Sequence, residues 1–324
     1  MRAIVTEGFG GPEVLTMAEV PDAAAGPGEV LIAVAASGIN RADLLQRQGH
    51  YPPPAGITDI IGLEVSGHIA EVGSDVEGWT VGDRCVALLA GGGYAELVAV
   101  PAGQVVHPPE GIDLITAAGL IEVAATVASN LTRVAIAAGE ILLVHGGTGG
   151  IGSFAIQYAG ALGVRVLATA GSADKLALCR ELGAEAAFDY HDDWLGAVQG
   201  ATAEHGADVI LDVIGAKYLP DNVHALADDG RLIVIGMQGG RKGTLDLGEL
   251  LAKRGLVTAT SLRGRPAEQK AAICAEVART VWPMIEGGVV KPAQETRFPA
   301  ASVAAAHAHL ASGDAVGKLI LTWT

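Results

Sequence analysis

The chain has 324 residues, too many for one ordinary core and suited to two domains of roughly 150 residues each. Half of the residues are hydrophobic but only 4% are aromatic, and glycine, at 45 residues, has nearly twice its usual share; alanine, valine, leucine and isoleucine must therefore fill an α/β interior with many tight turns. The formal net charge of −15 argues against nucleic acid and anionic membrane as partners, and an anionic cofactor needs a local basic pocket.

Met1-Arg2-Ala3-Ile4-Val5 opens the chain as a strand, without a signal-peptide pattern. Apolar stretches at 29–37, 65–72, 84–89 and 94–100 then read as strands, separated by Gly, Pro and Asp clusters. A short helix at 41–47 interrupts them, as does the loop Gly49-His50-Tyr51-Pro52-Pro53-Pro54. Its prolines forbid helix and central strand and place Tyr51 on a stiff, extended segment. From about Asp113 the period becomes helical, at 113–119 and 122–138. Strand and helix then alternate: 141–145 with 150–162, 164–170 with 173–182, 209–213 with 218–226, and a further strand at 232–235. Continuous apolar strands separated by helices mean a parallel sheet covered on both faces. A helix at 269–286 and a strand at 318–322 close the chain.

Cys85, Cys179 and Cys274 show no CxxC spacing and read as core residues, which suits a reducing compartment; cytoplasm is the expected location. No run of 18 apolar residues lacks charges or breakers, so no membrane span is expected.

Between the strand at 141–145 and its helix lies Gly146-Gly147-Thr148-Gly149-Gly150-Ile151-Gly152, which fits G-x-x-G-x-x-G on Gly146, Gly149 and Gly152. A glycine turn at a helix start lets the backbone approach a pyrophosphate, whose charge meets free N–H groups and the helix dipole. The strand on one side and the helix on the other supply the context that a lone glycine motif lacks, and the segment reads as a Rossmann dinucleotide site. An NAD site would carry an acid at the end of the next strand. Here that strand ends Ala168-Thr169-Ala170-Gly171-Ser172, with no acid before Asp174, and Lys175 follows. A hydroxyl and a lysine leave room and charge for a 2′-phosphate, so the expected cofactor is NADPH.

The chain resembles, nearly end to end, the zinc-independent quinone oxidoreductases of the medium-chain dehydrogenase/reductase superfamily. The resemblance is carried by Gly38-Ile39-Asn40-Arg41-Ala42-Asp43, the Tyr51 loop, Ile61-Gly62-Leu63-Glu64-Val65-Ser66-Gly67, Val81-Gly82-Asp83-Arg84, the glycine turn, Gly171 to Lys175, Asp189-Tyr190 and Gly317-Lys318. It implies a GroES-like β-rich substrate domain at 1–122 and 263–324, with a doubly wound Rossmann domain inserted at 123–262. It also implies a homodimer, an active site in the cleft between the domains, and hydride transfer from NADPH to a quinone or similar flat conjugated acceptor. Zinc-dependent relatives carry a cysteine where this chain has Asn40, and Gly-His-Glu where it has Gly62-Leu63-Glu64; Asn40 and Leu63 supply neither thiolate nor imidazole, so no metal is expected.

Asn40 precedes a short helix and suits an N-cap, while the resemblance turns it toward nicotinamide and substrate. Asp43 reads mainly as a fold-stabilising hydrogen-bond partner. Tyr51 is either a pocket wall or donor, or a ring packed over its loop. Thr126 either orients the nicotinamide or bonds its own helix backbone. Asn40, Tyr51 and Thr126 are the catalytic candidates. Around the cofactor the expected residues are Asn40, Thr126, Gly146, Thr148, Gly149, Gly150, Ile151, Gly152, Gly171, Ser172, Lys175 and Tyr190, with Gly236 and Met237 at the end of a parallel strand, where ligands meet open sheets, and Leu262 and Lys318 at the nicotinamide end. Two rivals stand beside quinone reduction. One is an enone or enoyl-thioester reductase with Tyr51 as proton donor, the other a nucleotide-binding protein without turnover.

Overall fold

The structure, a computed structural model, describes residues 1–323. It divides into two compact units. One takes Met1–Ala125, Leu262–Gly288 and the chain from Pro292 onward; the other takes Thr126–Ser261 with Val289–Lys291.

In the first unit β1 (Arg2–Thr6) pairs antiparallel with β2 (Leu15–Glu19). The spine of the main sheet is β3 (Glu29–Ile39), which runs two residues past the expected strand and delivers the chain to helix α1 (Arg41–Arg47). β3 pairs antiparallel with β4 (Glu64–Val72), and β4 with β5 (Arg84–Leu88). β6 (Leu97–Pro101) pairs with β3, and the short β7 (Val105–Val106) with β5. The strand expected at 94–100 begins only at Leu97, because Tyr94 belongs to a crossing of three segments: its N–H donates to the Ile61 carbonyl at 2.8 Å, and its carbonyl accepts from the Ile4 N–H at 2.8 Å. Helices α2 (Leu114–Ala117) and α3 (Ile121–Arg133) follow, and the division between the units falls within α3.

The second unit contains β8 (Ile141–His145), α4 (Gly150–Ala161), β9 (Arg165–Ala170), α5 (Ala173–Glu181) and β10 (Ala186–Asp189). It continues with α6 (Trp194–Ala201), β11 (Ala207–Asp212), α7 (Leu219–Ala225), β12 (Leu226–Val234), α8 (Leu247–Ala252) and β13 (Leu256–Ala259). The six strands are parallel, in the order β10-β9-β8-β11-β12-β13. This is the doubly wound Rossmann order, which reverses at β8 and β11, and ligands meet such sheets at the carboxyl ends of the strands there. The glycine turn leaves β8 at that end.

The chain returns to the first unit through α9 (Ala267–Thr280), α10 (Trp282–Glu286), β14 (Glu295–Pro299), α11 (Val303–Ser312) and β15 (Lys318–Thr322), with β15 antiparallel against β3. The single helix expected at 269–286 is two helices: Pro283 has no N–H to continue the ladder and is tolerated only in the first turn of a new helix. Each unit buries its own core, one around Ile4, Ile32, Ile61, Val65 and Leu321, the other around Leu143, Leu167, Ile210 and Leu232. Each such side chain contributes about 1.5–3 kcal/mol of burial.

Candidate active site

Hydrogen bonds divide the glycine turn into an anchored half and a free half. The Gly146 N–H donates to Thr169 Oγ1 at 3.4 Å and the Gly147 N–H to the Thr169 carbonyl at 2.9 Å, which ties the start of the turn to β9. Behind it His145 is fully enclosed, with Nδ1 3.1 Å from Thr169 Oγ1 and Nε2 2.7 Å from Asn222 Oδ1. The threonine hydroxyl takes the Gly146 N–H on its lone pair and gives its own proton to Nδ1, so the imidazole carries its hydrogen on Nε2. Burial pushes the pKa of His145 down to about 4, which keeps this support uncharged.

The free half opens α4. The first N–H groups of a helix have no partner within it, and here they belong to Gly150, Ile151 and Gly152. Gly146, at φ +74°, sits in the left-handed region that glycine alone adopts without strain, and a Cβ on Gly152 would lie 2.2 Å from the Gly146 carbonyl oxygen. Gly149 differs. Its φ is −74° and a Cβ there would come no nearer than 3.8 Å to any atom beyond its chain neighbours, so its missing side chain leaves space outside the fold. Thr148 is buried beside it. Gly149→Val is accordingly expected to keep a native circular dichroism spectrum and weaken dinucleotide binding by at least about 100-fold, the loss of two charge-assisted hydrogen bonds; unchanged affinity in a fluorescence titration would move the nucleotide elsewhere.

At the end of β9, Ser172 caps α5, its Oγ accepting the Lys175 N–H at 3.4 Å. Gly171 leaves room for the Tyr190 hydroxyl, 2.3 Å from where a Cβ would stand, and Tyr190 is 44% exposed. The structure thus brings Gly171, Ser172, Lys175 and Tyr190 to neighbouring strand ends. Gly236 and the exposed Met237 follow β12 at the same edge of the sheet.

In the first unit the sequence candidates meet a charge that sequence reasoning passed over. Asn40 ends the approach to α1, and its side-chain amide lies between Glu64 and Lys318. Lys318 Nζ donates to Asn40 Oδ1 at 2.5 Å, and Asn40 Nδ2 donates to Glu64 Oε1 at 3.0 Å. Lys318 and Glu64 are themselves paired at 2.5 Å, and the second carboxylate oxygen accepts the Glu122 N–H at 3.0 Å. Gly38 clears the space, since a Cβ there would come 2.3 Å from Glu64 Oε1. All three side chains are buried. An ammonium only donates and a carboxylate only accepts, so the amide has one orientation, with its oxygen toward Lys318 and one N–H toward Glu64. The other N–H is left to donate.

Tyr51 is half-buried, with the Arg263 guanidinium 5.2 Å over its ring and a guanidinium N–H 3.1 Å from its carbonyl oxygen. Arg263 also donates to the Ala90 carbonyl at 2.6 Å and to Gln46 Oε1 at 2.7 Å, binding the proline loop to the sheet. Thr126 lies buried in α3, where its carbonyl accepts from Asn130 Nδ2 at 2.7 Å. Leu262 is half-buried and opens the segment that re-enters the first unit.

Residues 26–110 match the alcohol dehydrogenase GroES-like domain and residues 150–277 match the zinc-binding dehydrogenase domain. A quinone oxidoreductase of Pseudomonas aeruginosa is 33% identical over 97% of each chain, and one of Rattus norvegicus is 33% identical over 99% of this chain and 97% of that protein. The chain belongs to the quinone oxidoreductases of the medium-chain dehydrogenase/reductase superfamily. Among solved structures, Escherichia coli quinone oxidoreductase complexed with NADPH superposes with a TM-score of 0.92 at 28% identity, each chain covered in full. A mycobacterial protein complexed with NADPH gives 0.90 at 32% identity, again with full coverage.

Within this family the Asn40 environment does not fit a zinc ion. Asn40 and the buried Leu63 bring neither thiolate nor imidazole, and the Lys318 ammonium already neutralises Glu64 and would repel a second cation. Among the described residues no three His, Cys, Asp or Glu side chains are grouped to hold a metal. The cysteines are buried in the cores, where burial raises the thiol pKa to about 12 in Cys85 and Cys274 and about 11 in Cys179, so none is a thiolate nucleophile. No helix among the described residues is long and apolar enough to cross a membrane.

Proposed function

We propose that this chain is a zinc-free, NADPH-dependent oxidoreductase acting on quinones or similar flat conjugated acceptors. The observation that carries the reading is the Asn40 amide, oriented by Lys318 and Glu64 with one N–H to spare. NADPH, when bound, supplies the hydride. The amides of Gly150, Ile151 and Gly152 receive its pyrophosphate, with Gly146, Thr148 and Gly149 shaping the turn, and Gly171, Ser172, Lys175 and Tyr190 take the 2′-phosphate end. Thr126, Gly236, Met237 and Leu262 belong to the nicotinamide end.

As hydride reaches a quinone ring, negative charge develops on a carbonyl oxygen. The spare Asn40 N–H donates to that oxygen, and the adjacent ammonium strengthens the donor by drawing electron density through Oδ1. Lys318 thereby acts through Asn40. Water protonates the reduced quinone, and Tyr51, pinned beneath Arg263, forms a wall of the acceptor site. The first unit serves as the substrate domain and the second as the cofactor domain. A homodimer is supported by β13, an open sheet edge, together with the exposed Leu247, Leu251 and Leu256. The buried free cysteines suit the cytoplasm.

The test is oxidation of NADPH against a panel of quinones and enones. Quinones are expected to turn over faster. Preference for enones would replace the reading with an enone or enoyl reductase, and tight NADPH binding without turnover on either class would make the protein a nucleotide-binding module.

A further inference from the structure

We propose that Arg47, His307, Tyr94 and Asp43 form one directed hydrogen-bond chain that positions Asn40 for the reaction, with Tyr94 and His307 as positioning residues. The proposal rests on the reading of Asn40 given above. An arginine only donates, so His307 Nδ1, 3.4 Å from Arg47 Nη1, is an acceptor and the imidazole hydrogen resides on Nε2. Nε2 then donates to the Tyr94 hydroxyl at 3.1 Å, which commits the phenol proton to Asp43 Oδ2 at 3.0 Å. The same oxygen accepts the backbone N–H of Asn40 at 2.7 Å. Every step has one direction, and the chain ends on the residue whose amide is presented to the acceptor.

A purely structural cluster would satisfy its carboxylate. Here Asp43 is completely buried, yet its Oδ1 has no hydrogen-bond partner, an arrangement that lowers stability. Tyr94 and His307 are likewise fully enclosed and come from the segment before β6 and from α11, so the chain ties two distant parts of the unit to the start of α1. The charges facing Asp43 are Lys318, which favours its carboxylate, Glu122, which opposes it, and Arg263. Burial outweighs them and lifts its pKa to about 7. His307 faces Arg47, and burial together with that guanidinium drops its pKa to about 3, so it stays neutral at working pH. As pH falls through about 7, Asp43 takes a proton and its hold on the Asn40 N–H weakens, so kcat falls on the acid side.

Steady-state kinetics and melting temperatures of four variants test this. Tyr94→Phe is expected to lower kcat about tenfold, the worth of one positioned hydrogen bond, with KM for NADPH within about twofold of wild type. It also removes a donor that favours the Asp43 carboxylate, so the acid limb of kcat moves to higher pH. His307→Leu removes the donor that holds the phenol oxygen and leaves the Tyr94 hydroxyl on Asp43, so kcat is expected to fall in the same direction with a smaller move of the acid limb. His307→Gln restores activity, because its amide oxygen accepts from Arg47 while its N–H donates to Tyr94. Wild-type kcat and an unmoved pH limb in both Tyr94→Phe and His307→Leu would overturn the proposal, whatever their melting temperatures. Asn40→Ala separates the two failures. If it alone is slow, only the positioning role falls; if it too keeps wild-type kcat, the assignment of Asn40 falls with it.

Discussion

Lys318→Met is expected to unfold at markedly lower denaturant than wild type and to lose nearly all quinone reduction. The lysine is one half of a buried ion pair whose partner, Glu64, is fully enclosed. Removing one partner leaves the other charge unpaired in a poor dielectric, at about 3–5 kcal/mol. Stability loss by itself does not establish a part in the chemistry, so the informative variant is Lys318→Met with Glu64→Gln. That protein has no unpaired charge, and most of the lost stability should return, because buried pairs are replaceable by uncharged side chains. Activity should not return with it. The introduced glutamine amide can donate as well as accept, so nothing fixes which way the Asn40 amide points, and no cation polarises it. A deficit in kcat of about 10²–10³, the scale of one oxyanion donor, should remain while NADPH affinity stays near wild type. A stable double variant with wild-type kcat would show that the ammonium serves only the fold.

How much of this was legible in the sequence depends on range. β8 and β15 and helix α1 lie where periodicity placed them, each bounded by a turn or cap readable within a few residues. The turn after β8 and Asn40 before α1 were visible for the same reason. β2, β13, β14, α6, α8 and α11 escaped. α6 contains Gly196 and Gly200, which weaken a helical pattern, and β13 has only four residues. α11 was masked by its own composition, since its run of alanines has little apolar contrast. Lys318 was named, but its partners were not readable, for it meets Asn40 across 278 positions. Glu64 left one trace, an acid inside the apolar run Ile61 to Val65, which a buried strand tolerates only with a partner. The reach from Asp43 to Tyr94 and on to His307 spans 51 and then 213 positions, beyond any local pattern.

The remaining large effect concerns cofactor choice. NADPH is expected to exceed NADH by at least about tenfold in kcat/KM, since one charge-assisted hydrogen bond is worth roughly 1.5–3 kcal/mol. The end of β9 offers a hydroxyl and a lysine at Ser172 and Lys175, and its last residues carry no acid to bond a ribose 2′-hydroxyl. The nearby acid at the end of β10, Asp189, is engaged by its neighbour, its Oδ1 accepting from the His191 N–H at 2.9 Å and lying 2.7 Å from His191 Nδ1. Those bonds hold its pKa below the usual carboxylate range, so it is charged, and the Lys175 ammonium has to outweigh it for a 2′-phosphate to be preferred. Lys175→Ala should therefore erase most of the preference by weakening NADPH alone, because NADH carries no phosphate for the lysine to meet. Ser172→Asp keeps the helix cap, which aspartate also makes, and brings an acid to the ribose; it should invert the preference. Measured kcat/KM for both cofactors decides among the outcomes. Equal slowing of both by Lys175→Ala would make the lysine a support of α5. A wild-type protein that prefers NADH would overturn the NADPH assignment, leaving Asp189 as the first residue to test for the ribose contact.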